Sequence, residues 1–142
     1  MDREEAIRLL THKGVKATAN RILVLKALHD SHRPMTLSNL EDMLPDLDKS
    51  SIFRTLTLFL SNDVAHAFED GRGILNYEMC SIEGLCNHSD EHIHFYCECC
   101  HQSFCLENQH IQAITIPEGF VSHSISFVIK GICPKCNKNY QL

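Results

Sequence analysis

Cysteine and histidine are the residues of this chain most able to do chemistry, with eight of the first and ten of the second. Cys97-Glu-Cys-Cys100 and Cys133-Pro-Lys-Cys136 are two Cys-x-x-Cys pairs, 32 residues apart. Each such turn aims two thiolates at one point, and two turns complete the tetrahedral four-thiolate shell that a structural zinc prefers. An iron centre or a redox dithiol uses the same spacing, and zinc is the expected occupant. Cys99, between two of the proposed ligands, reads as a bystander. A second group of donors precedes the first pair. His92 and His94 lie two apart, and on a strand residues i and i+2 face the same way, so both imidazoles can meet one ion. Glu78, Cys80, Cys86, His88 and Asp90 come shortly before them. A metal held there couples its own binding to the geometry of the two halves of the chain. His12, His29, His101 and His110 read as surface or cap residues.

The elements that must position these groups follow from periodicity and caps. A short helix is expected over Ala6–His12, stopped near Gly14, and a second from a Thr18 cap through about His29 with Ile22, Leu25 and Leu28 on one stripe. Pro34 separates it from a third, capped by Thr36 or Ser38, in which Leu37, Leu40, Met43 and Leu44 recur before Pro45. Asp48 or Ser50 caps a fourth, Ser51–Leu60, which buries Ile52, Leu56 and Phe59 and turns Ser51, Arg54 and Thr55 elsewhere. Val64–Phe68 and Ile74–Glu78 flank a Gly-containing connection, the pattern of a hairpin. Helices followed by a hairpin are the order of a winged helix-turn-helix. Strand-like runs at Ile93–Cys97, Ser103–Leu106 and Ser122–Ile129, with a helical stretch over about Glu107–Ile114, form a second, smaller unit. The polar stretch Cys80–Glu91, containing Gly84, links the two. The expected class is α+β: a winged-helix DNA-binding domain over 1–79, a hinge over 80–91 and a small α/β domain over 92–142 that binds metal.

Composition narrows the function. With 44% hydrophobic and 22% charged residues in 142, the chain folds as a globular protein and is too short for a large multidomain enzyme. Its longest apolar run, Ile22–Leu25, is far below the roughly 20 residues of a membrane span. The start, Met1-Asp2-Arg3-Glu4-Glu5, has no apolar core, so the expected compartment is the cytoplasm, where thiols stay reduced and bind metal. The net charge is −5, yet Arg8, Lys13, Lys16, Arg21 and Lys26 form an acid-free positive stretch between Ala6 and His29. An RNA-binding sheet would want exposed aromatics, and the chain has no Trp and three Tyr. A zinc hydrolase would want a catalytic motif such as His-Glu-x-x-His, which is missing. No enzymatic activity, membrane or small-molecule substrate is expected.

Ala17-Thr-Ala-Asn-Arg21, Ser50-Ser-Ile-Phe-Arg-Thr-Leu56, Asn76-Tyr-Glu78, His92-Ile-His-Phe-Tyr-Cys-Glu-Cys-Cys100 and Gly131-Ile-Cys-Pro-Lys-Cys136 occur in one order along nearly the whole chain. In this the chain resembles the ferric-uptake-regulator (Fur) superfamily of metal-dependent bacterial repressors. The resemblance implies a homodimer joined through the C-terminal half, a structural Zn2+ on Cys97, Cys100, Cys133 and Cys136, and a second, regulatory divalent metal at the hinge. Double-stranded DNA with a palindromic operator is the implied partner. Ser50, Ser51, Phe53, Arg54 and Thr55 would reach the groove, and Lys13, Lys16, Arg21 and Lys49 would hold phosphates. Where the family usually has Tyr the chain has Phe53, which keeps contact with a thymine methyl and loses a hydroxyl. Positions used by the iron and peroxide sensors are Pro34, Cys105, Ile125 and Gln112 here, with His32 and His123 nearby. The zinc-uptake-regulator branch is more similar, with a Cys at Cys80 and a wing-strand ligand at His66. The implied regulatory set is His92, His94, Cys80, Glu78, His66 and Cys105. Sulfur donors favour zinc as the sensed metal, with Fe2+ or Mn2+, and iron- or peroxide-responsive repression, as the alternative.

Overall fold

The computed structural model describes residues 1–79, 93–106, 114–122 and 127–140. Helix α1 spans Arg3–His12 and begins earlier than its apolar residues suggest, because Asp2 and Glu5 form a reciprocal capping box. Helix α2, Ala19–Ser31, starts at the Thr18 cap and ends at His32, whose φ of 54° is left-handed. Strand β1 is only Met35–Thr36, and Thr36 then caps α3, Leu37–Met43. Helix α4 runs Lys49–Ser61 from the Asp48 cap, whose carboxylate accepts the Ser51 amide at 3.1 Å. Leu10, Val24, Leu25, Leu40, Ile52, Leu56 and Phe59 are fully buried and form the helical core.

Strands β2, Ala65–Glu69, and β3, Leu75–Met79, make the hairpin, and β1 adds to its far edge to give the order β1-β3-β2. The register pairs His66 with Glu78 and Phe68 with Asn76. Alternation then sorts the hairpin into two faces. Ala65, Ala67, Tyr77 and Met79 pack on the helical core. His66, Phe68, Asn76 and Glu78 look the other way, towards the second sheet.

That sheet has the order β5-β4-β6, from β4 Ile93–Cys97, β5 Ser103–Leu106 and β6 Phe127–Gly131. β4 pairs antiparallel with β5 and parallel with β6. β6 corrects the expected Ser122–Ile129 strand: Ser122 is exposed outside any strand, and β6 ends at Gly131, paired with Cys97. A short helix α5, Pro134–Tyr140, follows from the second cysteine pair and was not expected. Of the helix expected over 107–114, residues 107–113 lie outside the described residues and Ile114 is not helical. The expected hinge, 80–91, also lies outside them. No helix among the described residues is long and apolar enough to cross a membrane.

Candidate metal centres and nucleic-acid interface

Cys97 ends β4 and Cys100 is on the turn that leaves it, while Cys133 directly precedes α5 and Cys136 lies in its first turn. Parallel pairing of β4 with β6 delivers both turns to one end of the sheet. The four sulfurs lie within 4.8 Å of one another, and Cys100 Sγ is 3.8 Å from Cys133 Sγ. A tetrahedral zinc with sulfurs at about 2.3 Å separates them by about 3.8 Å, so the donor set and its size fit zinc. The backbone prepares the site for charge. Cys133 N–H donates to Cys97 Sγ at 3.3 Å and Cys100 N–H at 3.5 Å. Burial raises the Cys97 thiol, but these amides outweigh it and bring it down to about 6. The neighbouring Cys133 sulfur, with burial, pushes Cys136 far up, and burial raises Cys100. The amide donors aimed at Cys97 Sγ thus favour a thiolate at the position where a zinc would be ligated. Cys97, Cys133 and Cys136 are buried with Phe95 and Phe104 packed on them, whereas Cys99 is exposed.

The second centre is built by register. His66 and Glu78 are cross-strand partners in the hairpin, and His94 comes from β4. His66 Nε2 donates to Glu78 Oε2 at 2.9 Å and His94 Nε2 donates to the same oxygen at 3.2 Å. Nitrogen and oxygen ligands about 2.1 Å from a tetrahedral divalent ion stand about 3.4 Å apart, so three ligand atoms already converge on one point. Burial raises the Glu78 carboxyl, but hydrogen bonds from His66 and His94 and their charge outweigh it and hold it at about 2. His94 is 5% exposed, and its ring stacks on Phe68 at 3.6 Å between centroids, so it cannot turn away freely. Of the expected regulatory residues the structure brings together His66, Glu78 and His94. Cys105 stands opposite His94 in the β4–β5 register, on the same face, but outside this cluster of ligand atoms. Cys80 and His92 lie outside the described residues. Three ligands leave room for a fourth from the chain or from water.

The expected contacts from α4, with Arg21, gather around two adjoining hollows of the helical unit. Phe53 is 49% exposed, and Leu37, Asp48, Lys49, Ser50, Phe53 and Arg54 line a shallow groove. Beside it, Thr18, Asn20, Arg21, Ser51, Arg54 and Thr55 line a cleft between the start of α2 and α4. Thr55 is corrected: it is 7% exposed and its hydroxyl donates to the Ser51 carbonyl at 2.9 Å, so it floors the cleft instead of reaching outward. Lys16 is exposed, and Lys13 and Arg21 are half-buried. Arg21 Nη1 also donates to the Lys16 carbonyl at 2.9 Å, which ties the loop before α2 to that helix.

A third group of contacts escaped the sequence reading. Asp70, Arg72, Tyr96, His101 and Lys130 join the hairpin turn to the second sheet. The turn Asp70-Gly-Arg-Gly73 read only as a connection, although an Asp two residues before an Arg is a recognisable turn-internal pair.

No family model matches the sequence. Among solved structures, the chain superposes on the Vibrio cholerae ferric uptake regulator (Fur) with a TM-score of 0.63 at 15% identity, over 89% of this chain and 98% of that one. It superposes on a zinc uptake regulator complexed with zinc and DNA with a TM-score of 0.70 at 16% identity, over 98% and 95%. For holo XcZur the TM-score is 0.62 at 19% identity, over 92% and 93%. The chain has the fold of these regulators over nearly its full length.

Proposed function

We propose that this chain is a metal-responsive DNA-binding transcriptional repressor of the Fur type, with zinc as corepressor, acting in the cytoplasm as a homodimer on a palindromic operator. The observation that carries the reading is the His66–Glu78–His94 cluster, because its ligands come from both the hairpin and the second sheet. A divalent ion there binds best when the two are docked, so free metal shifts the population towards the docked state by the ratio of its affinities. A fold neighbour that is a zinc uptake regulator complexed with zinc and DNA supports the same partners here. No catalytic step is asked of any residue.

In this reading residues 1–79 bind DNA, 80–91 form the hinge, and 92–142 hold the structural Zn2+ on Cys97, Cys100, Cys133 and Cys136. Cys80 and His92 are the remaining candidates to complete the hinge shell. Phe53, Arg54, Ser50 and Ser51 read the major groove, with the Phe53 ring against a thymine methyl, and Lys13, Lys16, Arg21 and Lys49 hold phosphates. Ile114, Ile116, Phe120, Val121, Ile129 and Ile132, exposed beyond the hinge, supply apolar surface for the dimer. A second reading, response to Fe2+ or Mn2+, is favoured by one observation: the clustered ligands are two nitrogens and an oxygen, without sulfur.

The test is binding of a palindromic operator of this family as free Zn2+, Fe2+ and Mn2+ are buffered in turn, with metal counted per chain. Two zincs per chain and DNA binding switched on by trace Zn2+ are expected. Activation by Fe2+ or Mn2+ with one retained zinc would select the second reading, and DNA binding indifferent to all three would overturn metal control.

A further inference from the structure

The face of the hairpin that carries His66 and Glu78 also carries Phe68 and Asn76, and Glu78, Phe68 and, from the turn, Arg72 touch β4. The contact has three parts in a row. At the open end His66, Glu78 and His94 meet. In the middle Phe68 stacks on the His94 ring at an interplanar angle of 15°. At the turn end the Arg72 guanidinium lies 4.7 Å from the centroid of Tyr96, two residues beyond His94 on the same face of β4.

Arg72 is held in place for this contact. Its Nη2 donates to Asp70 Oδ2 at 2.8 Å and its Nε to Oδ1 at 3.3 Å. The Asp70 side chain is fully buried and also accepts from Asn76 Nδ2 at 2.8 Å and from the Arg72 amide at 2.9 Å. Every acceptor position of that carboxylate thus serves to fix the turn and its arginine. On the other side, Tyr96 is 4% exposed and its hydroxyl bonds His101 Nδ1 at 2.7 Å. His101 has a left-handed φ of 61° and its amide donates to the Cys97 carbonyl at 2.9 Å, so Tyr96 is braced by the first cysteine turn. From β6, Lys130 Nζ donates to the Gly71 carbonyl at 3.4 Å, and its side chain crosses the space that a Cβ on Gly71 would take.

We propose that Arg72, seated by Asp70 and resting on Tyr96, is a positioning residue that holds the hairpin on the second sheet so that His66 and Glu78 meet His94. This rests on the reading of those three residues as a metal site. The ligands come from two sheets, and only the docked arrangement presents all of them to one ion. The apparent metal affinity is the intrinsic affinity multiplied by the docked fraction, so weakening the turn end lowers affinity at the open end, with no ligand changed. Arg72 is also the only Lys or Arg between Val64 and Met79, which leaves the hairpin no other side-chain cation for this contact.

The experiment uses the full chain holding one zinc, and measures the second Zn2+ by competition with a chelator of known affinity. Arg72→Gln is expected to retain the first zinc and to bind the second about three- to tenfold more weakly, the scale of one lost cation–π contact and its ion pair. Arg72→Lys, which keeps a cation over the ring, should recover part of the loss, and Tyr96→Phe, which keeps the ring, should bind nearly as the parent does. Tyr96→Leu should match Arg72→Gln, and the double variant should add little to either. If Tyr96→Leu loses the first zinc it has not folded, and Arg72→Gln with Arg72→Lys then decide the matter. A second Zn2+ bound equally tightly by Arg72→Gln and the parent would overturn the positioning role while leaving the metal site standing. A parent chain that takes up no second Zn2+, Fe2+ or Mn2+ would overturn both.

Discussion

Arg54 stands exposed at the junction of the groove and the cleft, and among the described residues it alone lines both. Nothing in the helical core depends on it, so Arg54→Ala should keep the fold and the dimer and lose about 1–3 kcal/mol of specific DNA binding, read by fluorescence anisotropy on matched and mismatched duplexes. If Lys16, on the loop that Arg21 ties down, holds a phosphate as proposed, Lys16→Ala should weaken all sequences alike and flatten the salt dependence by about one unit of slope. Asp70 supplies a pH prediction. Burial raises its carboxyl, but hydrogen bonds from Arg72 and Asn76 outweigh it and hold the group below its ordinary value of 3.8. The unfolded chain therefore takes up the proton first as pH falls. The stabilisation is complete above that ordinary value and is lost as pH drops through and below it. Urea unfolding should show Asp70→Asn less stable than the parent at pH 7 and the gap closing towards pH 3; a gap independent of pH would remove the carboxylate from the account.

At the scale of elements, side-chain caps and the turns between strands decide where things stop and start. The Asp48 cap holds the first turn of α4, so Asp48→Ala should lower the melting temperature and fray the end that carries Lys49, Ser50 and Ser51. Much of this was legible beforehand: α2, α4 and the hairpin follow from Thr18, Asp48 and the Gly-containing turn, and the four cysteines from spacing alone. What escaped has physical reasons. β1 is two residues long and exists through its pairing with β3, and α5 follows a cysteine turn instead of an apolar stripe. α1 gained three residues from a capping box outside its apolar pattern. The His66–Glu78–His94 cluster depends on register, since His66 and Glu78 are 12 apart and His94 is 16 further on, and no local period joins them. Thr55 was misread because its hydroxyl bonds back to the helix backbone, which lets a polar residue sit buried.

For the whole molecule, the two cores differ in kind. The helical unit rests on a broad apolar cluster, whereas among the described residues of the second the hydrophobic cluster is Cys97, Cys133 and Cys136 with Phe95 and Phe104 packed against it. A zinc on the four cysteines would tie together the two turns around which this cluster is built. Cys133→Ser should abolish the tightly held zinc and melt β4, β5, β6 and α5 while the helical circular dichroism of the first unit persists. Ile129 is 47% exposed on β6, an edge strand among the described residues. Ile129→Asp should shift a dimer towards monomer in sedimentation without loss of zinc. The parallel pairing of β4 and β6 also imposes an order in time. Cys133 follows Cys97 by 36 residues, so on a ribosome making about 5–20 residues per second the first pair waits roughly 2 to 7 s for the second. During that interval Cys97 and Cys100 have no partner thiols. No four-thiolate shell exists until both turns are made, so this site can fill only after β6 and the start of α5 have joined β4.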